Sequence, residues 1–273
     1  MSSLEKGIVP MVVGGIGNQM FIIAAGYVCH RESGAPLYIF QNPIENNVHN
    51  RKQRNYNNSV FKYFGIHLPH DLKHASLLGY KTYTPPHGFA PWFPQVVSGG
   101  TCLESYFQYY PPLKPFESDL QNLFLQGLQE EYPISPEYEQ YAFLHVRRGD
   151  YLKAPQYHFI QTIEYYKKAV ENLHANAKSK VPCKILVFSD DMEWIRSQGF
   201  FKQEFFELYE SVDELQTLAL MASCKAGAIC GNSTFSWWGA FLGAYSKRNP
   251  VYVPEKWINT HVDSLFPEEW NVV

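Results

Sequence analysis

Four short strings in this chain hold residue types that chemistry requires. The first is His145-Val146-Arg147-Arg148-Gly149-Asp150-Tyr151. A guanidinium stays charged at any working pH and holds phosphate oxygens through parallel N–H donors. Two adjacent arginines beside a glycine that permits a turn therefore form an anion clamp. Neighbouring side chains on an extended strand point to opposite faces. One arginine is thus expected to meet the anion, while the other pairs with an acid such as Asp150 and braces the loop. An Arg–Asp pair that only pins a loop is the competing reading. The segment is not a protein-kinase catalytic loop, which needs His-Arg-Asp contiguous with an Asn downstream.

The second string is Phe188-Ser189-Asp190-Asp191. At a strand end one carboxylate can accept hydrogen bonds from a guanine edge or from ribose hydroxyls, and the other can cap the following helix. Two rivals stand beside this: capping alone, and metal binding to a nucleotide diphosphate with Glu193 completing an acidic cluster. The third string, Gly231-Asn232-Ser233-Thr234-Phe235-Ser236-Trp237-Trp238-Gly239, runs small hydroxyl residues from a strand into a helix. Hydroxyls and free N–H groups converge there as they do around a phosphate. Asn232-Ser233-Thr234 also matches an N-glycosylation acceptor formally, without relevance in a non-secreted chain. The fourth string is Gly14-Gly15-Ile16-Gly17-Asn18-Gln19. Glycines let backbone N–H groups approach a phosphate. The dinucleotide pattern GxGxxG fails at Met20, however, and the Lys-Ser/Thr of a P-loop is missing. A tight turn without a ligand weighs about equally here, although the amide pair Asn18 and Gln19 falls where an α/β cleft usually opens.

The elements that must position these strings alternate. Ile8–Val13 reads as a buried strand, 19–30 as a helix stopped by Gly34, and 36–40 as the next strand. Residues 41–58 are polar with a basic knot at Arg51, Lys52 and Arg54, an expected exposed loop, and 83–100 is rich in Pro and Gly and largely irregular. A helix over 116–128 and a Pro-bearing joint over 130–140 follow. The second half predicts strands at 141–146, 184–188, 226–230 and 250–253. Its helices are expected at 165–175, 192–197, 211–222 (with Ser211 and Glu214 as a capping box) and 239–245. Such alternation implies parallel sheets covered on both faces, in two halves with a ligand cleft between them.

Bulk properties narrow the class. The 273 residues are 45% hydrophobic and 18% charged, with 44 aromatics, which excludes a disordered chain. A formal charge of −3 argues against a nucleic-acid binder. Five cysteines, odd in number and without a CxxC pair, argue against a disulfide framework or zinc site. The uncharged stretches 7–30 and 226–246 are interrupted by Gly, Pro, Asn and Ser, so neither is expected to span a membrane or to serve as a signal peptide. A soluble cytoplasmic protein is the expectation.

Taken together and in order, GGIGNQMF (14–21), ESYFQYY (104–110), HVRRGDY (145–151), FSDD (188–191) and NSTFSWWGAFL (232–242) resemble the α-1,2-fucosyltransferases of glycosyltransferase family eleven. EYYKKA (164–169), DELQTLALMASC (213–224) and PEKWIN (254–259) support the match, whereas 41–100 matches poorly. The resemblance implies an α/β GT-B fold with two Rossmann-like domains facing across a cleft. Residues 1–135 would carry the glycine-rich turn on the acceptor side, and 136–273 would bind GDP-fucose. It implies inverting, metal-independent transfer of L-fucose to the 2-hydroxyl of a terminal β-galactoside of a glycan, with no cofactor and no metal. Arg147 would grip the β-phosphate, and His145 and Asp190 would contact guanosine. Ser233, Thr234 and Ser236 would sit by the pyrophosphate, and Gly17 and Asn18 would close over the donor. Gly15, Arg148 and Asn232 complete the expected donor-binding set. Arg147 and Asp150 are the expected catalytic residues, although spacing alone does not choose among Asp150, His158 and Asp191 as general base. Two other classes stand against this reading: a metal-dependent nucleotide-sugar glycosyltransferase working through Asp190 and Asp191, and a non-enzymatic glycan-binding module. Loss of activity on chelation separates the first, and glycan binding indifferent to GDP the second.

Overall fold

The computed structural model describes residues 5–40, 55–69, 77–176, 183–210, 213–259, 262 and 264–273. The basic knot at 51–54 and Ser211 lie outside them. The chain divides into two compact units, Met1–Glu131 with Asp263–Pro267, and Tyr132–Val262 with Glu268–Val273.

In the first unit the opening apolar run forms β1 (Ile8–Pro10). Gly14, at φ +85°, turns the chain into helix α1 (Ile16–Ser33). The helix starts three residues earlier than the apolar spacing predicts, because Gly15 takes the N-cap position. Gly34, at φ +72° with its N–H on the His30 carbonyl, ends it where expected. From Ile16 to Cys29 every residue of α1 except Asn18 is buried, as in a helix enclosed on all sides. Strands β2 (Tyr38–Phe40), β3 (Ile66–Leu68), β4 (Lys81–Tyr83) and β5 (Thr101–Leu103) follow, then α2 (Glu117–Glu131). β1 and β4 both pair in parallel with β5, β2 pairs with β3, and an Ile8–Leu37 bridge joins the two sets. Pro10 has no N–H to give a sheet, but it ends β1, and its ring lies where a side chain at Gly26 of α1 would stand, 2.7 Å away.

The second unit is more regular. It contains β6 (Ala142–Val146), α3 (Ile163–Ala175), β7 (Ile185–Ser189), α4 (Met192–Ser197) and β8 (Phe206–Leu208). It continues with α5 (Glu214–Ser223), β9 (Gly227–Ile229), α6 (Thr234–Leu242), β10 (Val251–Val253) and β11 (Asn271–Val272). All six strands pair in parallel, in the order β11-β10-β9-β6-β7-β8. The chain leaves β6 for β7 on one side and later returns to β9 on the other. The carboxyl ends of these three central strands therefore form a switch point, where open α/β sheets bind ligands.

Three helix starts of this unit differ from expectation, α3 by two residues and α5 and α6 by more. Asp213 caps α5, its carboxylate accepting from the Leu215 and Gln216 N–H groups. An ionised carboxylate is a strong acceptor beside a helix dipole. α6 begins at Thr234 rather than Gly239, because Ser233 caps it through the Phe235 N–H. Trp237 and Trp238 thus fall inside the helix, both fully buried, with Trp237 packed on Trp270 at 5.2 Å. The described residues include no helix long and apolar enough to cross a membrane.

α5 and α6 pack at Gly239, where an added Cβ would stand 2.8 Å from the Met221 Cβ. Gly239→Val is expected to destabilise the second unit by about 1–3 kcal/mol through overpacking. A calorimetric melt that matches wild type would refute this packing.

Candidate active site

The three second-unit strings emerge at the ends of β6, β7 and β9, which makes them spatial neighbours. Their link is the Asp190 carboxylate, one residue beyond β7. Its Oδ1 accepts the backbone N–H groups of Arg148 at 2.8 Å and Gly149 at 3.1 Å. A side chain at Gly149 would stand 2.7 Å from Asp190 Oδ2, so this closure requires glycine. Asp190 Oδ2 also pairs with Arg147 Nη1 at 3.2 Å.

Arg147 is held from a second side, since its Nη2 lies 2.9 Å from Asp150 Oδ2 and 2.8 Å from Oδ1. Its guanidinium carbon sits 5.4 Å from the centre of the Tyr151 ring. Burial works against the guanidinium charge, but Asp190 and Asp150 outweigh it and raise the pKa further. Arg148 takes the opposite partner. Its Nε lies 3.2 Å from Asp191 Oδ2, and its guanidinium stacks over Trp194 at 4.3 Å. Asp191 Oδ1 meanwhile caps α4 through the Trp194 N–H. The expected division of labour is therefore changed: both arginines are paired with acids, and Arg147 is the one bound to Asp150. Of the three carboxylates, Asp150 is the most open, at 44% exposure against 26% and 22% for Asp190 and Asp191.

Several expected donor contacts lie inside the protein. Ser236 is fully buried, and its hydroxyl donates to the carbonyls of Gly231 and Ser233 within its own helix start. Asn232 is 1% exposed, and its amide donates to the carbonyls of Phe159 at 2.7 Å and Trp257 at 2.8 Å. It ties three loops together instead of facing a ligand. Ser233 is spent on its cap, and Thr234 is partly exposed in the first turn of α6. The earlier helix start explains these corrections, because it draws the hydroxyls into helix geometry. Tyr151, which spacing did not single out, joins two strings: its hydroxyl donates to the Asn232 carbonyl at 3.0 Å, and its ring stacks on His158 at 3.9 Å.

His145 is 4% exposed. β6 alternates, with Ala142, Leu144 and Val146 in the core around α3 and His145 on the other face against Phe235. It therefore lies beneath the arginine loop and not upon it. Burial, reinforced by the Arg147 charge, lowers its pKa to about 4, so the imidazole is neutral near neutral pH.

In the first unit the glycine-rich turn is ordered by its neighbours. Gln19 is 3% exposed and turns back to donate to the Gly14 carbonyl at 2.8 Å. The expected amide pair is thus split: Gln19 braces the turn, and Asn18 is the partly exposed one. Gly17 is buried within the first helical turn. Gly15 has open space where a side chain would stand, which suits close backbone approach by a ligand. Among the described residues, no group of three or more His, Cys, Asp or Glu is placed to hold a metal ion.

The α/β fold of two parallel-sheet units is of the GT-B type, and its paired arginines lie at a sheet switch point. Comparison with known proteins supplies the family. The model of glycosyl transferase family 11 matches residues 118–272, more than half of the chain. The chain is 28% identical over 299 residues to the O-antigen biosynthesis glycosyltransferase WbnK of Escherichia coli, covering 94% of this chain and 97% of that protein. It is 32% identical over 139 residues to an alpha-1,2-colitosyltransferase of Escherichia coli, covering 46% and 45% respectively. Among solved structures, the fucosyltransferase NodZ from Bradyrhizobium shares the fold at a TM-score of 0.50 and 13% identity, over 88% of this chain and 94% of that one. This chain belongs to glycosyl transferase family 11 and is a glycosyltransferase.

The lowered His145 pKa sets a sign for stability against pH. The unfolded imidazole binds its proton near pH 6.5 and the folded one only near 4. The stability that a neutral His145 contributes is therefore present above pH 6.5 and lost as pH falls toward 4. Relative to His145→Asn, wild type should lose up to about 1.4 kcal/mol per pH unit in that window. Parallel acid melts of the two proteins measure this, and parallel curves would refute it.

Proposed function

We propose that this enzyme transfers L-fucose from GDP-fucose to the 2-hydroxyl of a terminal β-galactoside in a glycan, with inversion and without a metal ion. The observation that carries the reading is the Arg147 guanidinium, fixed between Asp150 and Asp190 at the switch point of the second-unit sheet. The name of one relative specifies α-1,2 transfer, and NodZ, an alpha-1,6-fucosyltransferase, has been soaked with GDP-fucose. The first name, of an enzyme that transfers colitose, supports the linkage alone, and the second supports the donor alone.

Departure of GDP from fucose leaves oxocarbenium character on the sugar and builds negative charge on the β-phosphate. A guanidinium already oriented by two carboxylates meets that charge without reorganising. Arg147 takes this role, and Arg148, braced by Asp191 and Trp194, holds the loop. Gly15, Asn18 and Thr234 serve the donor, while Ser233 keeps its helix cap. Asp150, the most exposed of the carboxylates, receives the proton of the acceptor hydroxyl as its oxygen attacks the anomeric carbon from the face opposite GDP. Asp190 and Asp191 supply little to a metal ion, since their oxygens already accept backbone N–H groups, cap a helix and face arginines. This favours a metal-independent reaction over the metal-dependent alternative.

Incubation with GDP-fucose and a panel of β-galactosides in EDTA should give α-1,2-linked product, identified by NMR. Arg147→Ala should lower the rate about 10²–10³-fold, equivalent to about 3–4 kcal/mol of activation free energy. Absence of turnover together with absence of GDP binding would overturn the assignment, and loss in EDTA restored by Mn²⁺ would overturn its metal independence.

A further inference from the structure

We propose that Gln108 is a positioning residue that sets the carboxamide of Asn18, with Phe107 as the pivot that places it; this rests on the reading in which Asn18 contacts the donor. Asn18 is the one residue of Ile16–Cys29 in α1 that is not buried. Gln108, 90 residues further along the chain, donates from Nε2 to Asn18 Oδ1 at 3.0 Å. An amide whose oxygen accepts this bond has a defined direction. Its N–H₂ end is the donor end, and it lies over the turn, with Asn18 Nδ2 3.1 Å from where a Gly14 side chain would stand. Such a donor suits an oxygen-rich ligand.

Gln108 is itself held. It is 5% exposed, and its backbone N–H donates to the Gly88 carbonyl at 2.7 Å. The residue before it, Phe107, has φ +51°, a left-handed conformation that a bulky side chain adopts only at a cost. That strain is sustained by complete burial of the ring, edge-on to Trp92 at 5.5 Å and stacked with Tyr83 at 6.4 Å. The kink separates Tyr106, whose ring borders Gly14, from Gln108, which reaches Asn18. A core residue needing only to fill space would not require a strained neighbour and a directed hydrogen bond to a partly exposed side chain. The ESYFQYY string, conspicuous in the sequence and otherwise without a task, thereby gains one.

A mutant cycle on the full chain tests this. Gln108→Leu removes the donor, and Gln108→Glu keeps the shape but presents an acceptor to Oδ1. Gln108→Leu should keep the wild-type melting temperature within a few degrees, and each variant should lower kcat/KM for GDP-fucose about 10–100-fold, a cost typical of misplacing a binding group. Asn18→Ala should show a similar loss, and adding Gln108→Leu to Asn18→Ala should cost nothing further. The ¹⁵N–¹H₂ signals of the Asn18 side chain should shift in Gln108→Leu, a readout that needs no transfer activity. Unchanged Asn18 signals, a fully active Gln108→Leu, or a full second loss on the Asn18→Ala background would each overturn the positioning role. A fully active Asn18→Ala with shifted signals in Gln108→Leu would instead overturn the donor contact of Asn18 and leave the positioning geometry standing.

Discussion

The arrangement at the second-unit site depends on a single carboxylate accepting two backbone N–H groups across a strand boundary. Asp190 follows β7 and receives Arg148 and Gly149, which follow β6. Backbone donors do not rotate away as side chains do, so the bond fixes where the β6 loop turns. It thereby fixes the starting points of both arginine side chains. Substituting Gly149 would place a Cβ against this carboxylate, so loop geometry and charge placement share one steric condition. Two guanidiniums and three carboxylates then form a cluster in which each charge is paired, and pairing keeps partly buried ions from costing stability.

The strands and helices that carry this cluster were legible because they are long enough to show a period. β6 and β7 are apolar runs ending at charged loops, and α3 shows a polar Lys face. Strands β3, β4, β5 and β8 were not legible, since, unlike the equally short β1, β2, β9 and β10, each mixes polar with apolar residues and takes its identity from pairing with distant partners. Helix starts were misplaced by a few residues where a glycine or serine took the cap position, at Gly15 and Ser233. That displacement had consequences for the site. It turned the Ser236 hydroxyl onto carbonyls of the helix start, while the Asn232 amide is spent on the carbonyls of two other loops. The sign of Gln19 was hidden for the same reason, since a neighbouring amide pair looks alike in sequence whichever member turns inward.

The carboxylates do more than pair charges, because they decide which chemistry the cluster can support. Asp190 and Asp191 sit together in sequence as a metal-binding pair does, but their lone pairs are directed at N–H groups. A divalent ion at their Oδ2 atoms would have to displace the arginine side chains that those atoms face. An incoming diphosphate makes a different demand. It is an acceptor, as the carboxylates are, and competes only for donors, of which a guanidinium has five. Anion binding thus leaves the Asp190 backbone contacts intact.

His145 completes the argument from beneath. A charged imidazole at this place would add a third positive group in the low-dielectric interior behind Arg147, and burial together with the Arg147 charge opposes it. The histidine is consequently neutral, so the charge offered to a ligand comes from guanidiniums, whose ionisation does not vary with pH in the working range. In the proposed reaction the diphosphate therefore meets geometry fixed before it arrives. The most open carboxylate of the cluster is Asp150, held in place by the same Arg147 that faces the leaving diphosphate in the proposed reaction. In that proposed reaction one ion pair couples proton acceptance on the acceptor side to charge stabilisation on the donor side, and neither partner can be moved without disturbing the other.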